Sequence, residues 1–354
     1  MGQRKRHHLV ARFLLKRFAA KAEGGKSFIW RLSKDAPPKL LSTKDAAVQS
    51  NYYGTEEGGL EAALSDVEGC WAAMLRRIDA GEPLEPLAEE IWHMVYLTAY
   101  RASPIRSGFR AMGEQFIEHM HHNADAPEIK DGLHAYLDEN SEKELMNVLE
   151  KFPPEVRQLV WDNRALLKDH VSRDLDGMDV GGFIRGVFDQ LKEHESFQNA
   201  AKRGHNKGVT KLIEQGAAPV AVKPSEWKLL HDPTGSVVLG DCPVVAVGGP
   251  IRAIGAPWKF GKDCRTYYMP ISPRAVIVGI RYPEDDLLTI NQLNAASAAL
   301  SEASIFASAD NESSRRWAPR IASQWMPLDE QEMDAIMRSV VTDFGKGHTD
   351  GDSE

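Results

Sequence analysis

The spacing of apolar residues changes from a helical period to a strand period along the chain, and this change constrains the fold more than any other feature. Between residues 59 and 222, apolar side chains recur at intervals of three and four, as on amphipathic helices. From Trp227 onward, short apolar runs such as Ser236–Leu239 and Ala275–Ile280 are separated by turn residues. Helices and strands in separate stretches predict an α+β fold, predominantly helical, with a smaller β-rich C-terminal portion packed on the helices.

The same pattern divides the chain into four predicted regions. Residues 1–58 carry an N-terminal helix and a short strand, and residues 59–222 form the helical region. Residues 223–344 form the β-rich portion together with some helices, and the polar residues 345–354 predict a disordered tail. Three local details are expected: an interruption of the first strand at Pro37-Pro38, and helices near 288–300 and 329–342.

Composition excludes several classes of protein. With 42% hydrophobic and 27% charged residues, the chain is typical of a soluble globular protein, and no apolar run approaches the ~18 residues of a membrane span. Cys70, Cys242 and Cys264 have no CxxC spacing, which argues against a disulfide framework or a zinc ribbon and favours a reducing cytoplasm. The net charge of -8 argues against a general nucleic-acid coat, although basic clusters at the N-terminus and around Lys202-Arg203 leave room for a local basic site.

The first 18 residues combine basic side chains, two histidines and an amphipathic pattern. Val10, Leu14 and Phe18 recur at helical spacing and predict a helix that begins near His8. On such a helix His8 and Arg12, four residues apart, would share a face and could bind a phosphate or a carboxylate. The spacing is equally that of a docked helix whose basic residues are merely solvated, which is the more common case.

Further candidate residues are polar side chains at positions where apolar residues or glycines would serve the fold better. Tyr53 lies in the Asn51–Gly54 turn, where aromatic side chains more often serve packing than chemistry. Glu68 is flanked by apolar positions on a helix and either points along the buried edge or is a solvated surface carboxylate, which is the more usual case. Arg101 lies near a helix C-terminus, where it either favours the helix dipole or pairs with a buried carboxylate. Asp241 follows an apolar strand and precedes Cys242-Pro243, so it either projects into a pocket or caps its own turn.

Three histidines within four residues, His119, His121 and His122, are a second possible metal site. His119 and His122 are three residues apart, but no acidic residue at a recognised spacing completes the set. Histidines are also common at helix C-termini, where they interact with the dipole. The pattern therefore favours a helix end over a metal site.

Taken in order, these short segments resemble a bacterial family of proteins of unknown function, DUF4238. Family members open with a pattern like Q-H-Y-V-P-R-F-L-L-R-x-F, to which residues 7–18, HHLVARFLLKRF, are similar. The remaining segments that carry the resemblance are the strand around Trp30, Asn51-Tyr52-Tyr53, the helix with Glu68, Arg101-x-x-Pro104, Leu239–Val244, Pro270–Pro273 and Leu293-Asn294. The resemblance extends to about residue 310, with Ala11 in place of the family's proline and Cys242 in place of its asparagine. It implies candidate positions and no established activity.

Two hypotheses of function follow from the candidate residues. Histidine, carboxylates and arginine are the groups that cleave phosphodiesters, since they move protons, bind divalent metals and hold phosphate. The first hypothesis is a metal-dependent, nuclease-like hydrolase of bacterial conflict or phage defence that acts on nucleic acid or another phosphodiester. Its catalytic residues would be His8, Glu68 and Asp241. Its substrate-binding residues would be Arg12, Tyr53 and Arg101. No motif names the metal; magnesium and manganese are the candidates.

The second hypothesis is a non-catalytic binding or sensor protein. In it Arg12, Glu68, Arg101 and Asp241 form a buried ion-pair network that joins the helical and strand-rich parts. The substitution Glu68→Ala would unfold such a protein, whereas under the first hypothesis it would leave a folded and inactive one. Under both, the chain is expected in the cytoplasm and away from the membrane, and its oligomeric state is left open.

Overall fold

The structure is a computed structural model, and it describes residues 6–50, 52–53, 59–151, 153–193, 199–216, 218, 222–283 and 285–324. The predicted helix near 329–342 and the predicted disordered tail 345–354 lie outside these residues. The fold is α+β with helices in the majority and small antiparallel sheets, which confirms the predicted fold class. Within the described ranges, no helix combines the length and the hydropathy that a membrane crossing requires.

The described residues form two compact units. The first unit contains the residues up to 108 and those from 200 to 324, and the second contains the residues between them. The helices are α1 (Arg12–Arg17), α2 (Gly59–Asp79), α3 (Ala88–Tyr100), α4 (Ser103–His122), α5 (Pro127–Leu149), α6 (Pro154–Asp162), α7 (Arg164–Gly177), α8 (Val180–Glu193), α9 (Ala200–Gln215), α10 (Pro257–Phe260), α11 (Ile290–Leu300) and α12 (Glu312–Arg315). The strands are β1 (Arg6–His8), β2 (Lys21–Glu23), β3 (Lys26–Ser33), β4 (Ala36–Ser42), β5 (Val48–Ser50), β6 (Glu226–His231), β7 (Leu239–Gly240), β8 (Val245–Gly248), β9 (Ala253–Gly255), β10 (Cys264–Ser272), β11 (Ala275–Ile280) and β12 (Ile305–Ala307).

The core of the first unit is built on an antiparallel sheet in the order β6-β11-β10-β8-β9. Every residue of β11 is buried, as expected for a strand covered on both faces. Trp92 of α3 contacts Tyr267 of β10 edge to face, with ring centroids 5.1 Å apart. Leu14 and Leu15 of α1 are fully buried in the same core. Helices α1 and α3 therefore pack on this sheet within a single hydrophobic core.

A second sheet joins the two ends of the described chain. Its order is β2-β3-β12-β7, and β4 pairs with the other edge of β3. The prediction that Pro37-Pro38 interrupts the strand is wrong, because both prolines lie inside β4. Among the described strands, β4 pairs only with β3, and an edge strand tolerates residues that cannot donate a hydrogen bond on its free side.

The N-terminal helix begins later than predicted. Residues Arg6–His8 form β1, which pairs with β5 so that His8 lies opposite Val48, and the N–H of Leu9 donates to the carbonyl of Ala47 at 2.8 Å. These long-range backbone hydrogen bonds take the place of the first helical turn, and α1 starts only at Arg12. The prediction that His8 and Arg12 share a helix face is therefore wrong.

The segment Ser236–Leu239 is also less regular than predicted, since only Leu239 lies in a strand. The N–H of Val237 donates to the backbone carbonyl of Pro273 at 3.1 Å, while its two neighbours in the segment are bonded to side chains. The N–H of Ser236 donates to Asp232 at 2.6 Å, and the N–H of Val238 donates to the side chain of Asn294 at 3.0 Å. Side-chain acceptors of this kind satisfy backbone groups outside regular structure.

The second unit is helical and carries many exposed apolar side chains. Among them, Leu159, Leu166 and Phe183 expose 67%, 68% and 57% of their surface. By contrast, the two clusters of buried apolar residues found in the described chain both belong to the first unit. The buried apolar core of the described residues therefore lies in the first unit, which also contains the candidate site.

Candidate functional site

Arg101 is the centre of a cluster of predicted site residues, which we call the arginine cluster: His8, Tyr53, Glu68 and Arg101. The guanidinium of Arg101 lies at the C-terminal end of α3 and is only 3% exposed. Nη1 donates to the carboxylate of Glu68, Nε donates to the hydroxyl of Tyr53 at 3.3 Å, and Nη2 donates to the backbone carbonyl of His8 at 3.3 Å. Three separate stretches of the chain thus meet at one buried cation.

The arginine remains charged in this environment. Burial alone would lower the pKa of Arg101, but the interactions with Tyr53 and Glu68 outweigh it and raise the pKa above its ordinary value. Glu68 retains 18% exposure of its side chain, so one edge of the ion pair faces solvent. The ion pair is therefore largely shielded from water, and only its Glu68 side is in contact with solvent.

The turn that carries Tyr53 is held from two sides. The backbone N–H of Tyr53 donates to Nδ1 of His7 at 3.0 Å, and the side-chain amide of Asn206 on α9 donates to the Tyr53 carbonyl at 2.9 Å. His7 is itself buried, and its ring lies 5.4 Å from that of Tyr53. These contacts fix the turn, and with it the position of the Tyr53 hydroxyl that accepts from Arg101. Sequence reasoning missed both His7 and Asn206, since neither contact follows from spacing.

The imidazole of His8 has a defined tautomer. Its Nε2 lies 3.2 Å from the carbonyl oxygen of Thr43, and because a carbonyl only accepts, Nε2 carries the proton. Burial lowers the pKa of His8, and the charges of Arg12 and Arg101 act in the same direction, against the effects of the Thr43 hydrogen bond and Glu68. The ring is therefore neutral at pH 7, with a lone pair on Nδ1.

Arg12 and Glu61 lie around the arginine cluster without a direct hydrogen bond to it. Arg12 is the first residue of α1, is exposed, and acts electrostatically on His8. Glu61 lies two turns before Glu68 on α2 and is exposed as a residue, yet partial desolvation raises the pKa of its carboxyl group. Glu61 was not among the predicted residues. Its distance of seven positions from Glu68 is the sequence signal that could have indicated it.

Asp241 has a different set of partners. Its carboxylate accepts hydrogen bonds at 2.8 Å from the backbone N–H groups of Glu302, Ala303 and Ser304. Burial raises its pKa to about 6, although these three hydrogen bonds favour the charged form. None of its hydrogen bonds among the described residues reaches the arginine cluster. The structure therefore brings together four of the six predicted residues and places Arg12 beside them. Asp241 follows β7 instead, and its carboxylate is bonded to the loop before β12.

The described part of the chain contains no group of three or more His, Cys, Asp or Glu side chains that could hold a metal ion. The three histidines considered for metal binding lie in the last turn of α4, and Nε2 of His121 is 3.1 Å from the carboxylate of Asp189.

Comparison with known proteins gives one match. The model of the family described as protein of unknown function (DUF4238) matches residues 6–311. No curated protein and no solved structure matches the chain. The matched range includes every residue of the arginine cluster, Arg12 and Asp241.

Proposed function

The chain belongs to the DUF4238 family, and from the surroundings of His8 we propose that it is a hydrolase of phosphodiesters, with nucleic acid as its substrate. The observation that carries this proposal is the neutral imidazole with Nε2 bonded to Thr43 and its Nδ1 lone pair available, next to the exposed cation of Arg12. A general base has to be unprotonated at the working pH and to present a lone pair in a fixed tautomer. A phosphate needs a neighbouring cation that is not already bonded.

His8, Arg12 and the charged residues around them have distinct roles in the proposed reaction. Nδ1 of His8 takes the proton of a water or a ribose hydroxyl, whose oxygen forms the new bond to phosphorus. The bond to the leaving oxygen breaks, and Glu61, with its raised pKa, is a candidate to supply the proton that this oxygen takes up. Arg12 holds the phosphate, while Arg101 and Glu68 position the backbone of His8. Asp241 has no part in this scheme.

The experiment compares two histidines that share the same local chemistry. In His8→Gln the amide N–H can still donate to the Thr43 carbonyl, but the base is lost. His93 is the matched control, because it too is partly buried, has a lowered pKa and lies with Nε2 3.4 Å from a backbone carbonyl, that of Leu212. We expect His8→Gln to lower the rate of cleavage about 100-fold or more, and His93→Gln to leave it unchanged.

Cleavage is measured on single- and double-stranded RNA and DNA, with a chelator and with added Mg²⁺ or Mn²⁺. Both variants are checked by thermal unfolding, so that loss of structure is not mistaken for loss of the base. The proposal is wrong if no substrate is cleaved under any of these conditions, or if His8→Gln cleaves as fast as His93→Gln. Its cytoplasmic setting is proposed from the three free thiols.

A second candidate function is a non-catalytic binding or sensor protein. The hydrogen bonds that Arg101 makes inside the protein favour it. Each nitrogen of the guanidinium makes one hydrogen bond inside the protein, and the group is only 3% exposed, so little of Arg101 can reach a ligand. In that case the arginine cluster stabilises the fold, and binding of nucleic acid without cleavage would be observed. Filter binding of the same substrates by wild-type protein and His8→Gln separates the two, since only the hydrolase loses turnover while retaining binding.

A further inference from the structure

A cavity of about 230 Å³ lies beside α3 in the first unit, and none of its lining residues belongs to the arginine cluster. Its walls include the aromatic rings of Tyr96, Tyr100, Trp258 and Tyr267. Tyr96 and Tyr100 are four residues apart on α3, Trp258 belongs to α10, and Tyr267 to β10. Trp258 is 43% exposed, so solvent reaches the cavity at this side. Aromatic rings from three elements thus surround one space.

The polar groups of the cavity are only partly used by the protein. The hydroxyl of Tyr267 donates to the carbonyl of Val222 at 3.1 Å. Within the described ranges, the hydroxyl of Tyr96 has no hydrogen-bond partner, and the exposed residue Lys262, which also lines the cavity, has no ion-pair partner. The hydroxyl of Tyr100 lies against Gly208 of α9, which is not a lining residue. The cavity therefore offers one phenol donor and one neighbouring cation that no described protein group satisfies.

We propose that this cavity binds a small aromatic carboxylate. Its aromatic walls favour a planar ring, which gains offset or edge-to-face contacts beyond simple burial. The positive charge of Lys262 favours an anion over a cation, and a carboxylate also accepts a hydrogen bond from a phenol hydroxyl such as that of Tyr96. The volume is below the roughly 300–1,000 Å³ of pockets for drug-sized ligands, so the ligand is small. The site is independent of the proposed hydrolase, because it uses none of the same residues.

The experiment uses three probes of similar size on the full chain, titrated by calorimetry. Phenylacetate has both the ring and the charge, phenylacetamide lacks the charge, and cyclohexylacetate lacks the aromatic ring. We expect phenylacetate to bind about fivefold or more tightly than either of the others, as a partly exposed ion pair and an aromatic contact predict. Equal affinity of all three probes, or no binding of phenylacetate at about 10 mM, overturns the proposal.

Variants locate the site. Lys262→Gln is expected to weaken phenylacetate about fivefold and to leave phenylacetamide unchanged, whereas Lys259→Gln removes the same charge from neighbouring α10 without lining the cavity and should change neither. Tyr96→Phe keeps the ring and removes one donor, and it should weaken phenylacetate about threefold. Unfolding curves confirm that each variant is folded. Unchanged phenylacetate affinity in Lys262→Gln, or an equal loss in Lys259→Gln, overturns the assignment of this cavity.

Discussion

At the scale of single residues, the buried charge of Arg101 imposes the strongest demand on its surroundings. A guanidinium that is 3% exposed loses nearly all its hydration, which costs several kcal/mol unless other groups replace the water. Glu68 supplies the opposite charge, and Tyr53 and the His8 carbonyl supply the remaining acceptors. Loss of one partner therefore leaves a buried charge that nothing compensates, whether or not the site is catalytic.

The first residue-scale prediction concerns Glu68. We expect Glu68→Ala to lower the free energy of unfolding by about 3–5 kcal/mol, because Arg101 keeps its charge and loses its anion. Glu68→Gln should cost less, since its amide oxygen still accepts from Arg101. Urea unfolding followed by circular dichroism measures both. Glu82→Ala, which removes an exposed partner of Arg77, is the control and should leave the transition in place. Equal midpoints for Glu68→Ala and Glu82→Ala would contradict the prediction.

The second concerns the pH dependence of stability through Asp241. Its pKa is raised to about 6 in the folded protein, so between pH 4 and 6 the folded state binds more protons than the unfolded state. Asp241 therefore makes its full contribution to the free energy of unfolding below about pH 4. That contribution falls by about 2–3 kcal/mol as the pH rises through 6. Unfolding free energies measured at intervals over this range, with Asp241→Asn as reference, test it. A constant difference between the two proteins at all pH values would show that the carboxyl group titrates normally.

At the scale of elements, α11 acts as a partner for backbone that has no strand to pair with. Asn294 is fully buried in α11, accepts from the N–H of Val238 and donates to the carbonyl of Ser236 at 2.9 Å. The helix begins with a capping box in which Thr289 and Gln292 bond each other's backbone N–H groups. A well-defined helix start therefore fixes the side chain that orders the Ser236–Val238 segment.

The corresponding prediction compares two asparagines of α11. In Asn294→Leu the branching of the side chain is kept, but the N–H of Val238 and the carbonyl of Ser236 lose their partner, so the free energy of unfolding should fall by about 2–4 kcal/mol. Asn291→Leu, at an exposed position of the same helix, should change it by no more than about 0.5 kcal/mol. Thermal and chemical unfolding measure both. Similar losses in the two variants would mean that leucine weakens the helix itself.

At the scale of the whole molecule, both the proposed catalytic site and the proposed ligand cavity belong to the first unit. That unit is assembled from the two ends of the described chain, with β3 from the N-terminal part paired to β12 from the C-terminal part. The second unit is inserted between them in sequence. Two of the three cysteines also lie deep in the first unit, and burial raises the pKa of Cys242 and raises that of Cys264 to about 11.

The whole-molecule prediction uses these thiols as a probe of the closed fold. Cys70 is exposed on α2, whereas Cys242 and Cys264 are buried. A chromogenic disulfide reagent at pH 8 should therefore titrate one thiol per native chain and three after unfolding in guanidinium. In Cys70→Ser the native value should fall to zero. Rapid reaction of a second thiol in the native protein would show that the first unit opens more readily than its packing indicates.

Sequence alone determined the elements whose hydrogen bonds are local or whose burial repeats regularly. Helix α2 ends as predicted before Gly81, which has a φ of +89°, and β11 occupies the predicted range Ala275–Ile280. Four of the six polar positions selected from the sequence, Arg101 included, lie in contact with one another in the structure. A polar side chain where an apolar one would serve the fold is visible without a structure.

Only the tertiary structure decided what those residues contact. The strand at His8, in place of a helix, depends on β5, about 40 residues away, and the partners of Arg101 lie 33 to 93 positions from it along the chain. Asp241 is bonded to backbone groups more than 60 residues later, which no spacing rule anticipates. Periodicity records which side of an element is buried, but the choice of partner depends on which distant groups the folded chain leaves without hydrogen bonds.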